Sequence, residues 1–249
     1  MLDKNKISSL LDHPAEVFVY DTVTSTNDVA KNLSNDYNGC ILVVADGQTN
    51  GRGRQGKSFF SPKNTGLYFT MVFPTDAPVF EFTGVTCAAA VATARAIEKL
   101  SDIDVKIKWV NDIYIDNRKI CGILVQSVSE NTVVKKLIVG IGVNVSTLDF
   151  PSEISTIAGS LNKDIDRNVL AAEIANNLSE LIFRKTDDYI AEYKSKSNVI
   201  GQRITYIQNN TEHQATAVDI DRNGGLVVKT ETDTITLTSG EISVRFPLK

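Results

Sequence analysis

Residues 41–58 read ILVVADGQTNGRGRQGKS, a continuous apolar run followed by a loop rich in glycine and arginine. The run at 41–45 is typical of a strand buried on both faces. The loop at 46–58 contains four glycines, and its charged residues after Asp46 are the cations Arg52, Arg54 and Lys57. Such a loop binds phosphates and carboxylates through backbone N–H groups and charge-assisted hydrogen bonds. The stretch predicts a buried strand that leads into an anion-binding loop; a solvated basic loop or an arginine–glycine RNA contact is the alternative.

Residues 51–58 also match the P-loop pattern GxxxxGKS letter for letter. That motif requires a helix that begins at its lysine, so that the helix N-terminus faces the phosphates. Pro62 and Gly66 follow Lys57 closely and would break such a helix in its first turns. The sequence therefore predicts that this loop is not a P-loop. The pair Gly140 and Gly142 lacks the third glycine of a dinucleotide fingerprint and carries little weight.

Hydrophobic patterns on either side of this loop predict alternating strands and helices. Strands are predicted at 16–20, 41–45, 66–73, 105–109, 113–115, 120–127 and 133–145, with a tight hairpin turn at Asp116-Asn117. Helices are predicted at 25–33, 82–100 and 168–195.

The pattern changes after about residue 198. Five short β-like runs separated by polar turns follow, at 203–207, 214–220, 226–229, 234–238 and 242–246. Many short, evenly spaced strands are typical of a small barrel. The sequence predicts an α+β domain at 1–198 and a β-barrel domain at 199–249, with one continuous domain as the alternative.

Composition excludes several classes of protein. The net charge of −4 does not indicate a general nucleic-acid or membrane binder, so anion binding must come from local cations. The three cysteines, Cys40, Cys87 and Cys121, show neither disulfide nor zinc spacing and are predicted to be buried, reduced thiols. Without a signal segment or an apolar run of about 18 residues, the chain is predicted to be cytoplasmic, with no membrane partner.

A second polar cluster ends the strand predicted at 105–109. The sequence Lys108-Trp109-Val110-Asn111-Asp112 is followed at 118–124 by RKICGIL, which contains Lys119 and Gly122. Polar residues at a strand end beside a glycine that admits close backbone approach are typical of a binding site. A hairpin with solvated charges is the alternative.

Taken together, these motifs resemble the biotin protein ligase family. The matching elements, in the family's order, are Ser25-Thr26-Asn27, Gln48 with the loop at 51–56, Lys108-Trp109-x-Asn111-Asp112, Lys119-x-x-Gly122-Ile123-Leu124, Gly142-x-Asn144 and Gly240-Glu241-Ile242-Ser243. The resemblance covers nearly the whole chain from about residue 17. Two positions depart from it: Val110 stands where proline is usual, and Phe59 where tryptophan is common.

The resemblance implies a fold, an activity and partners. The fold would be a mixed β-sheet with flanking helices, similar to class II synthetases, followed by a small SH3-like barrel. The enzyme would convert biotin and ATP to biotinyl-5′-AMP and pyrophosphate, and then transfer biotin to a lysine of a biotin carboxyl carrier protein. Only about 16 residues precede the first predicted strand, too few for a helix-turn-helix domain. This implies a short form that does not bind DNA, as a monomer or homodimer.

The resemblance also implies roles for individual residues. Biotin-binding residues would be Ser25, Thr26, Asn27, Gln48, Gly51, Arg52, Lys119 and Gly122. Nucleotide-binding residues would be Arg52, Arg54, Lys57, Phe59, Asn111 and Asn144. Catalytic residues would be Lys119, Arg54 and Asp112. No dedicated metal site is expected, because Mg²⁺ would accompany ATP on the phosphate oxygens.

Two other functions remain open from the sequence. A lipoate or octanoyl ligase would share the fold and chemistry with another acyl group. A non-enzymatic RNA-binding module would use the basic loop, although the net charge of −4 and the lack of stacking aromatic residues in that loop disfavour it.

Overall fold

The computed structural model describes residues 1–184, 188–208, 211–238 and 243–245. Its larger sheet has seven strands in the order β1-β2-β3-β7-β6-β5-β4. Only β1 and β2 pair in parallel among these strands; the other neighbours are antiparallel. The strands are β1 (Glu16–Val23), β2 (Ile41–Gln48), β3 (Gly66–Pro78), β4 (Lys106–Lys108), β5 (Asp112–Ile115), β6 (Arg118–Glu130) and β7 (Val133–Asn144).

Five helices accompany the sheet in the described residues. They are α1 (Lys4–Ser9), α2 (Thr26–Leu33), α3 (Val85–Ser101), α4 (Arg167–Arg184) and α5 (Asp188–Lys196). None of them is long and apolar enough to span a bilayer. The mixed sheet with flanking helices confirms the fold class predicted for this part of the chain.

Strand β2 is covered on both faces, as its uninterrupted apolar sequence predicts. Leu42 and Val44 belong to the main core, together with residues of α3 and α4. Ile41 and Val43 point to the opposite face and cluster with Ala30 of α2. Because successive side chains of a strand alternate between faces, only a sheet packed on both sides buries all four. This packing fixes the strand that leads into the glycine-rich loop.

Helix α3 packs its alanines between the sheet and helices α4 and α5. The predicted start at residue 82 is wrong, because Val79–Phe82 form a 3₁₀ turn and the α-helix begins after Gly84. The helix ends at Ser101, and the capping residue Asp102 that follows has a left-handed φ of 55°. The helical segment predicted at 168–195 corresponds to α4 and α5, which lie on either side of residues 185–187.

The hairpin between β5 and β6 follows its sequence signature. Asp116 and Asn117 have φ values of 47° and 65°, and positive φ at both central residues is the requirement of a type I′ turn. The strand predicted at 105–109 is shorter than expected. Strand β4 ends at Lys108 and the chain turns at Trp109, which brings Asn111 and Asp112 to the start of β5.

The C-terminal strands form a second, antiparallel sheet in the order β11-β10-β9-β8-β12. They are β8 (Arg203–Gln208), β9 (Thr211–Ile220), β10 (Leu226–Lys229), β11 (Thr234–Leu237) and β12 (Ser243–Arg245). In the described part of the chain the edge strands β11 and β12 do not pair with each other, so the predicted barrel takes the form of an open small sheet. Apolar side chains of both sheets belong to one core cluster, and the division into domains at residue 198 stays a prediction.

All three cysteines are free thiols. Cys87 and Cys121 are buried, as predicted, and burial raises the pKa of Cys87 to about 12. Cys40 is only half-buried, so the prediction of a fully buried thiol is wrong there. Cys40 directly precedes β2, where the chain enters the sheet from the surface.

Candidate active site

A polar network joins α2 to the end of β2. The backbone N–H of Thr26 donates to Oε1 of Gln48 at 2.8 Å, and the Thr26 hydroxyl lies 3.2 Å from the same oxygen. The Gln48 amide in turn donates to Oγ of Ser61 at 2.9 Å. This chain of bonds fixes the orientation of the Gln48 amide at the mouth of the glycine-rich loop.

Ser25 is the N-cap residue of α2, but its side chain makes no capping hydrogen bond. An N-cap serine ordinarily accepts from a backbone N–H of the first turn. Its hydroxyl is buried, at 2% exposure of the residue, and it lines the pocket described below. The position therefore fits a ligand contact better than simple helix capping.

The pocket between α2, the loop and β6–β7 unites most of the residues predicted for biotin. Its lining residues are Ser25, Thr26, Asn27, Gln48, Arg52, Phe59, Gly122, Leu124, Gly140, Ile141 and Gly142. Its free volume is about 20 Å³, room for about one water and far less than a small-molecule ligand fills. The Phe59 ring takes up the space over the glycines: a Cβ on Gly142 would lie 2.6 Å from it, and one on Gly122 would lie 3.2 Å away.

Phe59 was predicted on the nucleotide side, and the structure places its ring among the biotin-side residues. The ring meets Tyr68 edge to face with centroids 6.5 Å apart, and Nζ of Lys119 lies 6.0 Å from its centroid. A contact with adenine therefore stays a prediction.

Sequence reasoning missed the role of Gly140 in this pocket and the residues that hold Asn27 over it. Gly140 lies beneath Asn27, where a Cβ would approach the Asn27 Oδ1 to 1.9 Å. The Thr70 hydroxyl lies 2.7 Å from the same oxygen, and the Asn27 amide donates to Gln126 at 3.0 Å. A spacing of two between Gly140 and Gly142 on a buried strand, which puts both on one face, was the available signal.

The glycine-rich loop is a tight reversal without an α-helix. The backbones of Arg52 and Ser58 form an isolated antiparallel β-bridge, and the Gly53 N–H donates to the Lys57 carbonyl at 2.7 Å. Lys57 is extended, with φ −70° and ψ 150°, and no helix begins at it. This confirms that the loop is not a P-loop. Gly51 is required, because a Cβ there would lie 2.5 Å from the Phe59 carbonyl oxygen.

The two loop arginines reach different parts of the site. Nη2 of Arg52 lies 2.9 Å from a carboxylate oxygen of Asp28 at the start of α2. Nη1 of Arg54 donates to Oδ1 of Asn111 at 3.2 Å. Burial lowers the pKa of Arg54, while the nearby Asp112 raises it, and guanidinium stays charged at neutral pH. The loop is thus joined to α2 and to the β4–β5 corner.

Lys119 lies between the pocket and the carboxylate of Asp112. Its Nζ is 2.7 Å from Oδ1 of Asp112, and a Cβ on Gly122 would lie 3.2 Å from the same nitrogen. The Lys119 backbone bonds on both sides to the segment at 157–159. Its ammonium group is therefore held at the edge of the pocket on a fixed strand.

Asn144 is buried behind Lys119. Its Nδ2 donates to the Gly159 carbonyl at 2.9 Å, while its buried Oδ1 accepts no hydrogen bond from the described residues. A buried acceptor without a partner is costly, so this oxygen fits a ligand N–H.

Two predicted features lie apart from this arrangement. Lys57 is exposed at the end of the loop and does not line the pocket. Residues Gly240, Glu241 and Ile242 of the last motif lie outside the described residues, so only Ser243 of that motif is described, as the first residue of β12.

The polar groups of the site suit a small molecule that has both a polar ring and an anionic end, provided that the Phe59 ring moves out of the pocket. Oriented amide and hydroxyl groups line its inner part, and the cations Arg52 and Lys119 border it, while Arg54 bonds to Asn111. Cations at that position can neutralise a carboxylate and a phosphate that approach each other.

Two family profiles match the chain. The Biotin/lipoate A/B protein ligase family matches residues 19–144, and the Biotin protein ligase C terminal domain matches residues 199–245.

Individual relatives agree with the profiles. The Bifunctional ligase/repressor BirA of Bacillus subtilis is 31% identical, over 85% of this chain and 68% of that protein. The Biotin--[acetyl-CoA-carboxylase] ligase of Mycobacterium tuberculosis is 27% identical, over 81% of this chain and 78% of that protein.

A solved structure shares the architecture. The biotin protein ligase from Aquifex aeolicus in complex with biotin and ATP superposes with a TM-score of 0.78 at 27% identity, over 93% of this chain and 99% of that chain. Since the first profile spans half of the chain and the Bacillus relative exceeds 30% identity, the chain belongs to the biotin/lipoate A/B protein ligase family.

Proposed function

We propose that this chain is an ATP-dependent biotin–protein ligase that forms biotinyl-5′-AMP and then transfers biotin to a lysine of a carrier protein. One structural observation carries the proposal: Lys119 borders Gly122 in the pocket and also pairs with Asp112. A single cation can therefore serve both an acyl group in the pocket and a phosphate beside it. The relatives are biotin ligases, which favours biotin over lipoate and an enzyme over an RNA-binding module.

Biotin would bind with its ureido ring towards Ser25, Thr26 and Gln48. The Ser25 hydroxyl is not used for capping, and the Gln48 amide is oriented by Thr26 and Ser61. The glycines of β6 and β7 leave room for the ring system once Phe59 moves. Asn27 supports this wall through Thr70 and Gln126, and Gly51 and Arg52 close it on the loop side.

ATP would lie on the side of Arg54, Asn111 and Asn144. The unpartnered Oδ1 of Asn144 fits the amino group of adenine, because it is a buried acceptor. Arg54 and Lys119 would then face the α-phosphate, and Lys57 would approach the outer phosphates.

In the first step a biotin carboxylate oxygen attacks the α-phosphorus, and the bond to pyrophosphate breaks. Two anions must approach each other, so cations that face the developing charge lower the barrier. Lys119 and Arg54 would supply this charge. Asp112 and Asn111 would hold the two cations in place through the contacts described above.

Mg²⁺ on the triphosphate would neutralise further negative charge. In the described part of the chain no group of three or more His, Cys, Asp or Glu side chains lies close enough to hold a metal. Phosphate oxygens would therefore be its main ligands.

In the second step the carrier lysine attacks the carbonyl carbon of the mixed anhydride, and AMP leaves. That amine must lose a proton, since a lysine has an ordinary pKa of about 10.4. Asp112 is the candidate to accept the proton or to orient the amine. A carrier domain of a biotin-dependent carboxylase is the proposed partner, and cytoplasmic location, absence of DNA binding and monomer or homodimer state stay predictions.

The proposal is tested by incubating the protein with ATP, Mg²⁺ and either biotin or lipoate. We expect pyrophosphate release and an adenylate mass that depend on biotin. An adenylate formed with lipoate alone would move the specificity to the other acid. A folded protein that forms neither adenylate would contradict ligase activity.

Replacing Phe59 by alanine is expected to speed biotin association several-fold in the absence of ATP. The ring occupies the space over Gly122 and Gly142 and must leave before a ligand enters. Stopped-flow binding of biotin measures the rate. Phe60→Ala is the matched control, because Phe60 packs against Phe150 and does not line the pocket. An unchanged rate for Phe59→Ala would mean that the ring does not limit access.

A further inference from the structure

We propose that the turn between β9 and β10 positions the Asn111–Asp112 side of the active site, with Trp109 as the link. This inference rests on the proposed function, since it assigns a role within the adenylation step. It makes Trp109 and Gly224 positioning residues, through which the C-terminal sheet would act indirectly on the reaction.

The link is a buried hydrogen bond between the two sheets. The indole N–H of Trp109 donates to the Gly224 carbonyl at 2.9 Å. Trp109 is buried, at 5% exposure, so water cannot replace this acceptor. An indole N–H without a partner inside the core would be strongly unfavourable.

The turn that offers the carbonyl is itself rigid. The Asp221 side chain accepts from the backbone N–H groups of Asn223 and Gly225, each at 2.8 Å. Gly224 has φ +81°, and a Cβ there would lie 2.8 Å from Sγ of Cys87 on α3. Glycine therefore meets two demands at once, a left-handed backbone and close contact with α3.

The other end of the link reaches the site within two residues. Val110 is held by a second bond, from the hydroxyl of the fully buried Tyr193 to its carbonyl at 3.2 Å. Asn111 then accepts from Arg54, and Asp112 pairs with Lys119. A shift of the backbone at Trp109 would displace both partners of the catalytic cations.

The residues proposed to bind the ureido ring of biotin lie on other elements. Ser25 and Thr26 lie on α2, and Gln48 ends β2. In the described part of the chain, the side-chain hydrogen bonds of Thr26 and Gln48 stay between α2, Gln48 and Ser61 and do not reach the Asp221–Gly225 turn. Loss of the link should therefore affect ATP use more than biotin binding.

The test compares Trp109→Phe and Gly224→Ala with the unmodified protein. Biotin affinity is measured by calorimetry without nucleotide, and kcat and KM for ATP are measured by pyrophosphate release. We expect kcat/KM for ATP to fall by about tenfold in each variant, with the biotin Kd changed by less than about twofold. The emission of Trp109, the single tryptophan of the sequence, should also shift in Gly224→Ala.

Two further variants separate positioning from general destabilisation. Gly201 has nearly the same φ, +80°, but nothing lies within 4 Å of an added Cβ, so Gly201→Ala should keep full ATP kinetics. Adding Cys87→Ala to Gly224→Ala removes the Sγ collision and should restore part of the lost kcat/KM.

Parallel loss of biotin affinity and ATP kinetics in Trp109→Phe would overturn the positioning role, and so would unchanged ATP kinetics. If the unmodified protein formed no adenylate, the proposed function would fail first and the inference with it. If the unmodified protein is active and Trp109→Phe has unchanged kcat/KM for ATP, the inference is refuted while the proposed function stands.

Discussion

Replacing Lys119 by alanine is expected to lower the rate of biotinyl-adenylate formation by roughly 10²–10³-fold, the usual cost of removing one group that stabilises transition-state charge. The ammonium group lies at the edge of the pocket, 2.7 Å from Asp112. Its removal takes away the cation proposed to lie where carboxylate and phosphate would meet. It also leaves the Asp112 carboxylate without its counterion beside the same anions, which adds repulsion. Pyrophosphate release under single-turnover conditions measures the loss.

Three comparisons interpret that result. Lys119→Arg keeps the charge and should retain more activity than Lys119→Ala. Adding Asp112→Ala to Lys119→Ala should recover part of the rate, because the unpaired carboxylate is gone, and the double-mutant cycle measures this coupling. Lys106 is exposed on the neighbouring strand β4, so Lys106→Ala should behave as the unmodified protein. Near-normal adenylation by Lys119→Ala would exclude Lys119 from the chemistry.

Local sequence patterns predicted the elements that hold the site. The buried strand at 41–45 and the Asp116-Asn117 turn are both confirmed, because each depends on a short-range rule of side-chain alternation or turn geometry. The absence of a helix at Lys57 is confirmed for the same reason, since Pro62 and Gly66 exclude it locally.

Contacts between distant segments could not be predicted in this way. The hydrogen bond from Trp109 to Gly224 joins residues 115 positions apart, and no rule of local sequence spacing predicts it. Gly140 has a role only because α2 packs over β7 and brings Asn27 onto it. Phe59 was assigned to the nucleotide from resemblance, whereas its ring position depends on the fold of the whole loop.

The two arginines of the glycine-rich loop contact different elements of the fold. Arg52 pairs with Asp28 on the side of α2, and Arg54 bonds to Asn111 at the β4–β5 corner. The loop therefore spans the pocket between two separate supports. Closure over a reaction intermediate would use the Arg54 support, because that end lies near Asp112 and its partner Lys119, where the mixed anhydride would form.

Replacing Arg54 by glycine is expected to raise release of biotinyl-5′-AMP into solution by about 10–100-fold, the equivalent of one charge-assisted hydrogen bond. The variant removes the bond to Asn111 and a partly buried cation whose pKa is lowered by burial. It also adds a glycine to a loop that already contains four, which increases the freedom of the open state. A loop that closes poorly admits water and lets the anhydride escape before the carrier arrives.

Rapid filtration followed by mass spectrometry of the filtrate measures the released adenylate, and biotin on lysines of an unrelated protein reports the same escape. Arg54→Lys keeps the charge but loses the planar fork, so its release should fall between those of Arg54→Gly and the unmodified protein. Lys63→Ala, which removes an exposed cation paired with Asp21 outside the loop, should leave release unchanged. If Arg54→Gly forms the adenylate more slowly but releases the same fraction of it into solution, the role of Arg54 is confined to stabilising charge during adenylation. An increased fraction would instead make the loop a barrier that Arg54 holds closed, and labelling would then extend beyond the carrier to any nearby amine.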